Sequence, residues 1–190
     1  MDWKRNFLES SLLGQSTNKN NPNVVQAKCV DLAYKDMMTA GRYYSASFLH
    51  TREEICSATN EAIKQCDYVF SRDLIQKISL LFCKDIIGIE NKYVTGYGLA
   101  QKLINMTFKY LYVFSDLIFI EHPVPDFSVC DCPLDSIILK EASVKRVVWS
   151  KLTAQEYQKC QDIISSLLKS KPLDMELSKL GNLAFDFINW

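Results

Sequence analysis

Apolar residues recur at helical spacing through most of this 190-residue chain, and helix-start signals precede several of these stripes. Thr51 and Thr153 each stand three residues before a glutamate, Glu54 and Glu156, in the Ser/Thr-x-x-Glu pattern of a capping box. A capping box satisfies backbone N–H groups in the first turn, so each pattern marks the start of a helix. The chain is therefore predicted to be all-α, with about seven or eight helices.

The same spacing gives approximate helix bounds. The predicted segments are a short helix at Asp2–Leu13, helices from Pro22 to Gly41 and from Thr51 to Cys66, one capped by Ser71 or Asp73 that ends near Gly88, one from about Gly98 to Ser115, and helices that begin at Pro133, Thr153 and Asp174. Residues 43–50 have a strand-like composition but no partner segment, so we expect an ordered connection there. We expect a single helical domain of two tightly packed subdomains, 1–90 and 91–190, with a groove between them.

Composition narrows the functional classes. Hydrophobic residues make up 48% of the chain, which is ample for a buried core. The 22 basic residues balance 22 acidic ones, so no global positive field marks a nucleic-acid binder, although a local basic face would suffice. Seven cysteines, an odd number, lie partly within helical patterns and favour reduced thiols. Without a signal-like or bilayer-length apolar run, the chain is expected to be soluble and cytoplasmic, with no membrane partner.

The stretch from Tyr93 to Leu139 has the strongest chemical content. It places a glycine-bracketed turn, Gly96-Tyr97-Gly98, before a helix on which Lys102, Asn105 and Lys109 share one face. A Pro133-Leu134-Asp135 step follows, and Asp135 is predicted to fall in the first turn of a new helix. A helix lysine can form a Schiff base with a sugar aldehyde, and an aspartate can manage its protons.

The order of glycine turn, Gln101-Lys102 helix, Pro133-Leu134-Asp135 step and closing apolar helix resembles the helix-hairpin-helix DNA glycosylases, and within them the archaeal 8-oxoguanine branch. The resemblance covers about Val94 to Trp190. It implies that Lys102 is the catalytic lysine and Asp135 the aspartate that assists it. It also implies a DNA glycosylase/lyase that removes an oxidised purine flipped out of double-stranded DNA.

The nucleic-acid-binding residues expected from this resemblance and from the shared helix face are Gly96, Gly98, Gln101, Asn105 and Lys109. The glycines would bring backbone N–H groups to a phosphate at the helix start. No cofactor is expected. No metal is expected either, because the Cys130-x-Cys132 spacing beside His122 is not a zinc-knuckle spacing and has no second pair.

One other interpretation stays open. The chain could be a non-catalytic helical module that binds a protein or nucleic acid on a glycosylase-like scaffold. In that case Lys102 would be a solvated helix-face lysine, and Asp135 a carboxylate that complements a helix dipole. The distance between the two side chains is the structural observation that separates these interpretations.

Overall fold

A computed structural model of the chain describes residues 9–14, 17–41, 48–82 and 96–189, and none of them lies in a β-strand. The described α-helices are α1 (Pro22–Gly41), α2 (Arg52–Gln65), α3 (Arg72–Ser79), α4 (Gly96–Val113), α5 (Ser115–Ile118), α6 (Ser136–Glu141), α7 (Ala154–Lys169) and α8 (Leu183–Ile188). Three 3-10 helices lie at Phe127–Val129, Trp149–Lys151 and Leu177–Leu180. The prediction of an all-α chain is confirmed for this part of the sequence.

Local capping explains where α2, α3 and α7 begin. Thr51 and Thr153 each accept a hydrogen bond from the backbone N–H of the glutamate three residues on, whose carboxylate binds the threonine N–H in return. Ser71 caps α3 by accepting from the N–H of Leu74. Both predicted capping boxes are therefore confirmed, and of the two cap candidates for α3 the structure uses Ser71.

Helix α4 is the centre of the packing. It lies against α1, α3 and the 3-10 helix Trp149–Lys151, and every residue from Tyr97 to Lys109 is buried. A helix buried on all sides has no solvated face, so its polar side chains must find protein partners. The helix begins at Gly96, two residues before its predicted start.

Other predicted bounds change or lie outside the described residues. Helix α3 ends at Ser79, well short of Gly88, and residues 83–95 are outside the described ranges. Of the predicted helix at Asp2–Leu13, residues 9–12 are helical and residues 1–8 lie outside. Most of the predicted connection at residues 43–50 also lies outside. None of the helices in the described ranges combines the length and apolar composition that a bilayer crossing requires.

The prediction of one last helix from Asp174 is wrong. The chain forms the 3-10 helix Leu177–Leu180, turns at Gly181 with φ of 54°, and only then begins α8. A left-handed backbone favours glycine, and a Cβ at this position would collide with the carbonyl oxygen of Ser128. The apolar stripe that suggested one helix is thus shared by two short ones that meet at a turn.

Gly98→Ala provides a test of the packing at the start of α4. A Cβ at position 98 would lie 2.6 Å from the carbonyl oxygen of Trp149, a backbone atom that cannot rotate away. We expect the substitution to lower the free energy of unfolding by about 1–3 kcal/mol, as overpacking does. At an open helix position the same change stabilises by about 0.5–1 kcal/mol. Urea unfolding measures whether the variant loses or gains unfolding free energy. A gain would contradict the close approach of the Trp149 carbonyl to Gly98.

Candidate functional site

The structure brings Lys102 and Asp135 together from positions 33 residues apart. Lys102 Nζ donates a hydrogen bond to Asp135 Oδ2 at 2.8 Å, and the side chains are only 5% and 16% exposed. The interpretation of Lys102 as a solvated lysine is therefore wrong. Because neither charge has full access to water, the stability of each depends on the contact with the other.

Asp135 also has a structural role, because it caps the helix that follows it. It is the N-cap of α6, with extended backbone, and its Oδ1 accepts from the N–H groups of Ile137 and Ile138, each at 2.9 Å. The predicted helix start at Pro133 is therefore wrong, because Asp135 stands just before the first turn and caps it. One carboxylate oxygen fixes the helix and the other faces Lys102, so the helix start holds the acceptor in place.

Two buried glutamines hold the extended segment that leads to Asp135. Gln101 accepts from the N–H of Leu134 at 3.0 Å and donates to its carbonyl at 2.9 Å. Gln161 on α7 binds Cys132 in the same way, at 3.0 and 2.7 Å. Each side-chain amide thus replaces the neighbouring strand that an extended backbone would otherwise need.

A chain of polar side chains connects this segment to α3. Asn105 donates to Tyr157 Oη at 2.8 Å, and Tyr157 in turn donates to Asp131 Oδ2 at 3.1 Å. Arg72 closes the chain by binding both oxygens of Asp131, at 2.6 and 3.0 Å. Burial raises the pKa of Tyr157 well above its usual range, so this hydroxyl stays protonated and able to donate.

A second buried ion pair lies further along α4. Lys109 pairs with Asp186 of α8, whose side chain is fully buried. Burial raises the pKa of Asp186 above its usual range, and the positive charge of Lys109 acts in the opposite direction. Burial likewise raises the pKa of the Cys132 thiol well above its usual range, so it is a neutral core residue.

The remaining predicted binding residues have internal surroundings. Gln101 and Asn105 are fully buried and bonded to protein groups, and Lys109 is paired. Gly96 and Gly98 allow the backbone of α4 to approach Ser79 and the Trp149–Lys151 helix. Contact of these five residues with DNA stays a prediction, one to which their burial lends no support.

An open cavity of about 550 Å³ is formed by α6, the loop after it and the Trp149–Lys151 helix. Its lining residues are Ser136, Leu139, Lys140, Ser143, Val144, Lys145, Val147, Val148, Trp149 and Ser150. Ser136 directly follows Asp135 in the chain, and Ser150 contacts the backbone of α4 at Gly98. The lining of the cavity is therefore continuous in sequence with Asp135, the more exposed partner of the ion pair.

Sequence reasoning missed Arg72, Asp131, Tyr157, Gln161 and Asp186. Each lies far along the chain from its partner, and no local sequence motif predicts a contact over such a separation. The one available signal was the placement of Gln161 and Asp186 within apolar stripes, where a polar side chain requires a partner.

No protein-family model, curated protein or solved structure matches the chain.

Asp135→Asn tests the ion pair without removing the helix cap, because asparagine caps a helix as well as aspartate does. The substitution leaves the Lys102 ammonium buried without its carboxylate. We expect the free energy of unfolding to fall by about 3 kcal/mol. Adding Lys102→Met should recover part of that loss, giving a coupling of roughly 1 kcal/mol or more in a double-mutant cycle. Additive effects of the two changes would argue against a buried pair.

Gln101→Leu tests the anchoring of the extended segment. It removes two hydrogen bonds to Leu134 and leaves a buried N–H and C=O without partners. We expect a loss of about 2–4 kcal/mol in unfolding free energy. Gln155→Leu, at an exposed position of α7, is the matched control and should change stability by less than about 0.5 kcal/mol. Equal effects at the two positions would contradict the anchoring role.

Proposed function

We propose that this protein is a DNA glycosylase/lyase that removes an oxidised purine, of the 8-oxoguanine kind, through a Schiff base on Lys102. The observation that carries the proposal is the 2.8 Å contact between Lys102 Nζ and Asp135 Oδ2. The resemblance in motif order required these two side chains to meet. A pair separated in space could not have served one site.

The proposed reaction uses the two side chains in sequence. Transfer of one proton from Lys102 Nζ to Asp135 gives a neutral amine whose lone pair forms a bond to the anomeric carbon. The bond from that carbon to the base breaks, and its electron pair leaves with the base, which takes up a proton. Loss of the second amine proton frees the nitrogen lone pair, which forms the C=N bond as the bond from the anomeric carbon to the ring oxygen breaks. The ring oxygen keeps that electron pair and takes up a proton to become a hydroxyl, and the product is a protonated Schiff base.

The lyase step follows from the Schiff base. Removal of a proton from the sugar carbon next to the imine carbon lets the bond to the 3′ phosphate oxygen break, and the phosphate leaves with that electron pair. Water hydrolyses the remaining Schiff base and frees Lys102. The amine supplies the nucleophile throughout, so the proposed reaction needs no cofactor.

Access to Lys102 determines where the nucleotide enters. Asp135 is the more exposed partner, and the adjoining Ser136 is exposed and lines the cavity. We therefore place the approach of a flipped nucleotide on the cavity side of the pair. In this proposal residues 1–90 and 91–190 form two tightly packed subdomains, which α4 joins through its contacts with α1 and α3. Both members of the ion pair and all the residues that line the cavity belong to 91–190, so the nucleotide approaches that subdomain and not a groove between the two.

The alternative is a non-catalytic helical module that binds a protein or nucleic acid. The observation that favours it is that Lys102 lies on the same buried helix as Gln101 and Asn105, whose hydrogen bonds hold the segment that leads to Asp135. A network of this kind specifies the fold without any chemistry. Activity at Lys102 separates the two functions.

Borohydride trapping tests the enzymatic function. Wild-type protein is incubated with a duplex containing 8-oxoguanine or an abasic site, and we expect a covalent adduct after reduction. Lys102→Gln should abolish the adduct because the amine is gone. Asp135→Asn should slow its formation by roughly 100-fold or more, the usual contribution of a positioned proton acceptor.

Two controls make the outcome specific. Lys169→Gln, at an exposed end of α7, should leave the adduct unchanged. Circular dichroism should show that Lys102→Gln remains folded, so that its loss of adduct reflects chemistry. Absence of an adduct for the wild type across a panel of oxidised purines would overturn the enzymatic function.

A further inference from the structure

Four exposed cations lie close together in the chain beside the cavity. They are Lys140 at the end of α6, Lys145 and Arg146 in the following loop, and Lys151 at the end of the 3-10 helix. We call them the cationic rim. Lys140 and Lys145 line the cavity directly, and the other two each adjoin a lining residue. Residues 136–151 contain one carboxylate, Glu141, against these four positive charges.

The rim differs from the cluster of cations around Asp31. There Lys28, Lys35 and Arg52 all share one carboxylate. Within the described residues, none of the four rim cations forms an ion pair with a carboxylate. In a chain whose total charge is zero, the rim is therefore a local concentration of positive charge without internal neutralisation.

The cavity gives this charge an apolar floor. Leu139, Val144, Val147 and Trp149 line it between the cations, together with exposed Val148. In the loop beside the cavity, Ser143 and Arg146 have backbone φ of 56° and 64°, values that few non-glycine residues adopt. Phosphates on the rim and one sugar or base on the floor match the two chemistries of a nucleotide strand.

We propose that the cationic rim and its cavity bind a strand of DNA, with phosphates on Lys140, Lys145, Arg146 and Lys151 and the non-polar face of one nucleotide in the cavity. The choice of DNA as the occupant rests on the proposed function. The charge complementarity itself does not depend on Lys102 chemistry. The surface replaces the glycine turn as the main phosphate contact, because Gly96 and Gly98 pack against protein backbone.

The test measures binding apart from catalysis. Fluorescence anisotropy of a labelled, undamaged duplex of about 20 base pairs is followed between about 50 and 200 mM salt. Lys145→Gln/Arg146→Gln should weaken binding roughly 10- to 100-fold and reduce the slope of log K against log salt by about 1.8, since each phosphate contact contributes about 0.9. Lys159→Gln/Lys169→Gln, two exposed positions on α7, is the matched control and should leave both quantities unchanged.

Each outcome has a defined meaning. Equal weakening by the two double variants would show that only the total charge matters and would overturn the rim. Binding of wild type to vesicles rich in phosphatidylserine but not to the duplex would assign the rim to a membrane surface and overturn the proposal. The same wild-type protein is assayed for the borohydride adduct, a readout that depends on Lys102. If the wild type binds the undamaged duplex but forms no borohydride adduct, the glycosylase function is rejected and the rim is retained. If it forms the adduct but does not bind the undamaged duplex, the rim is rejected and the glycosylase function is retained.

Discussion

The pairing of Gln101 and Gln161 with an extended backbone is the interaction on which the candidate site depends. Residues 131–135 run between α4 and α7 with no strand beside them among the described residues, so their buried N–H and C=O groups need side-chain partners. The two amides supply them at Cys132 and Leu134. Because Asp135 is the next residue, the position of its carboxylate beside Lys102 follows from this anchoring.

The burial of α4 makes its polar residues part of the core. A polar side chain in the interior stabilises the fold only when its hydrogen bonds are made, and breaking a half-made network costs more than an apolar replacement would. Here Lys102, Asn105 and Lys109 lie along one face, and each binds a group from a different distant segment. One helix face therefore fixes the extended segment, α7 and α8 relative to α4.

The parts of the fold that could be predicted are those encoded locally. The capping boxes at Thr51 and Thr153 involve groups three residues apart, so the sequence contains both partners. The burial of Gln101 could not be predicted, because it depends on a segment 33 residues away that lacks any repeating pattern. The turn at Gly181 was missed for a related reason. The carbonyl of Ser128, which leaves no room for a Cβ at position 181, approaches that position only in the folded chain.

The candidate chemistry was predictable only as an order of residues. Motif order placed Lys102 before Asp135, and a lysine and an aspartate at this separation have many possible relative positions. Contact at 2.8 Å, with the other carboxylate oxygen fixed by the cap of α6, is a far more restrictive arrangement. The same contact has opposite effects on stability and on reactivity. An ion pair this buried stabilises the fold most when it stays closed, whereas a nucleophile must give up its proton to react. Under the proposed function, a substrate group that displaces Lys102 from Asp135 would relieve that opposition, and such a displacement would begin at Asp135 because it is the more exposed member of the pair.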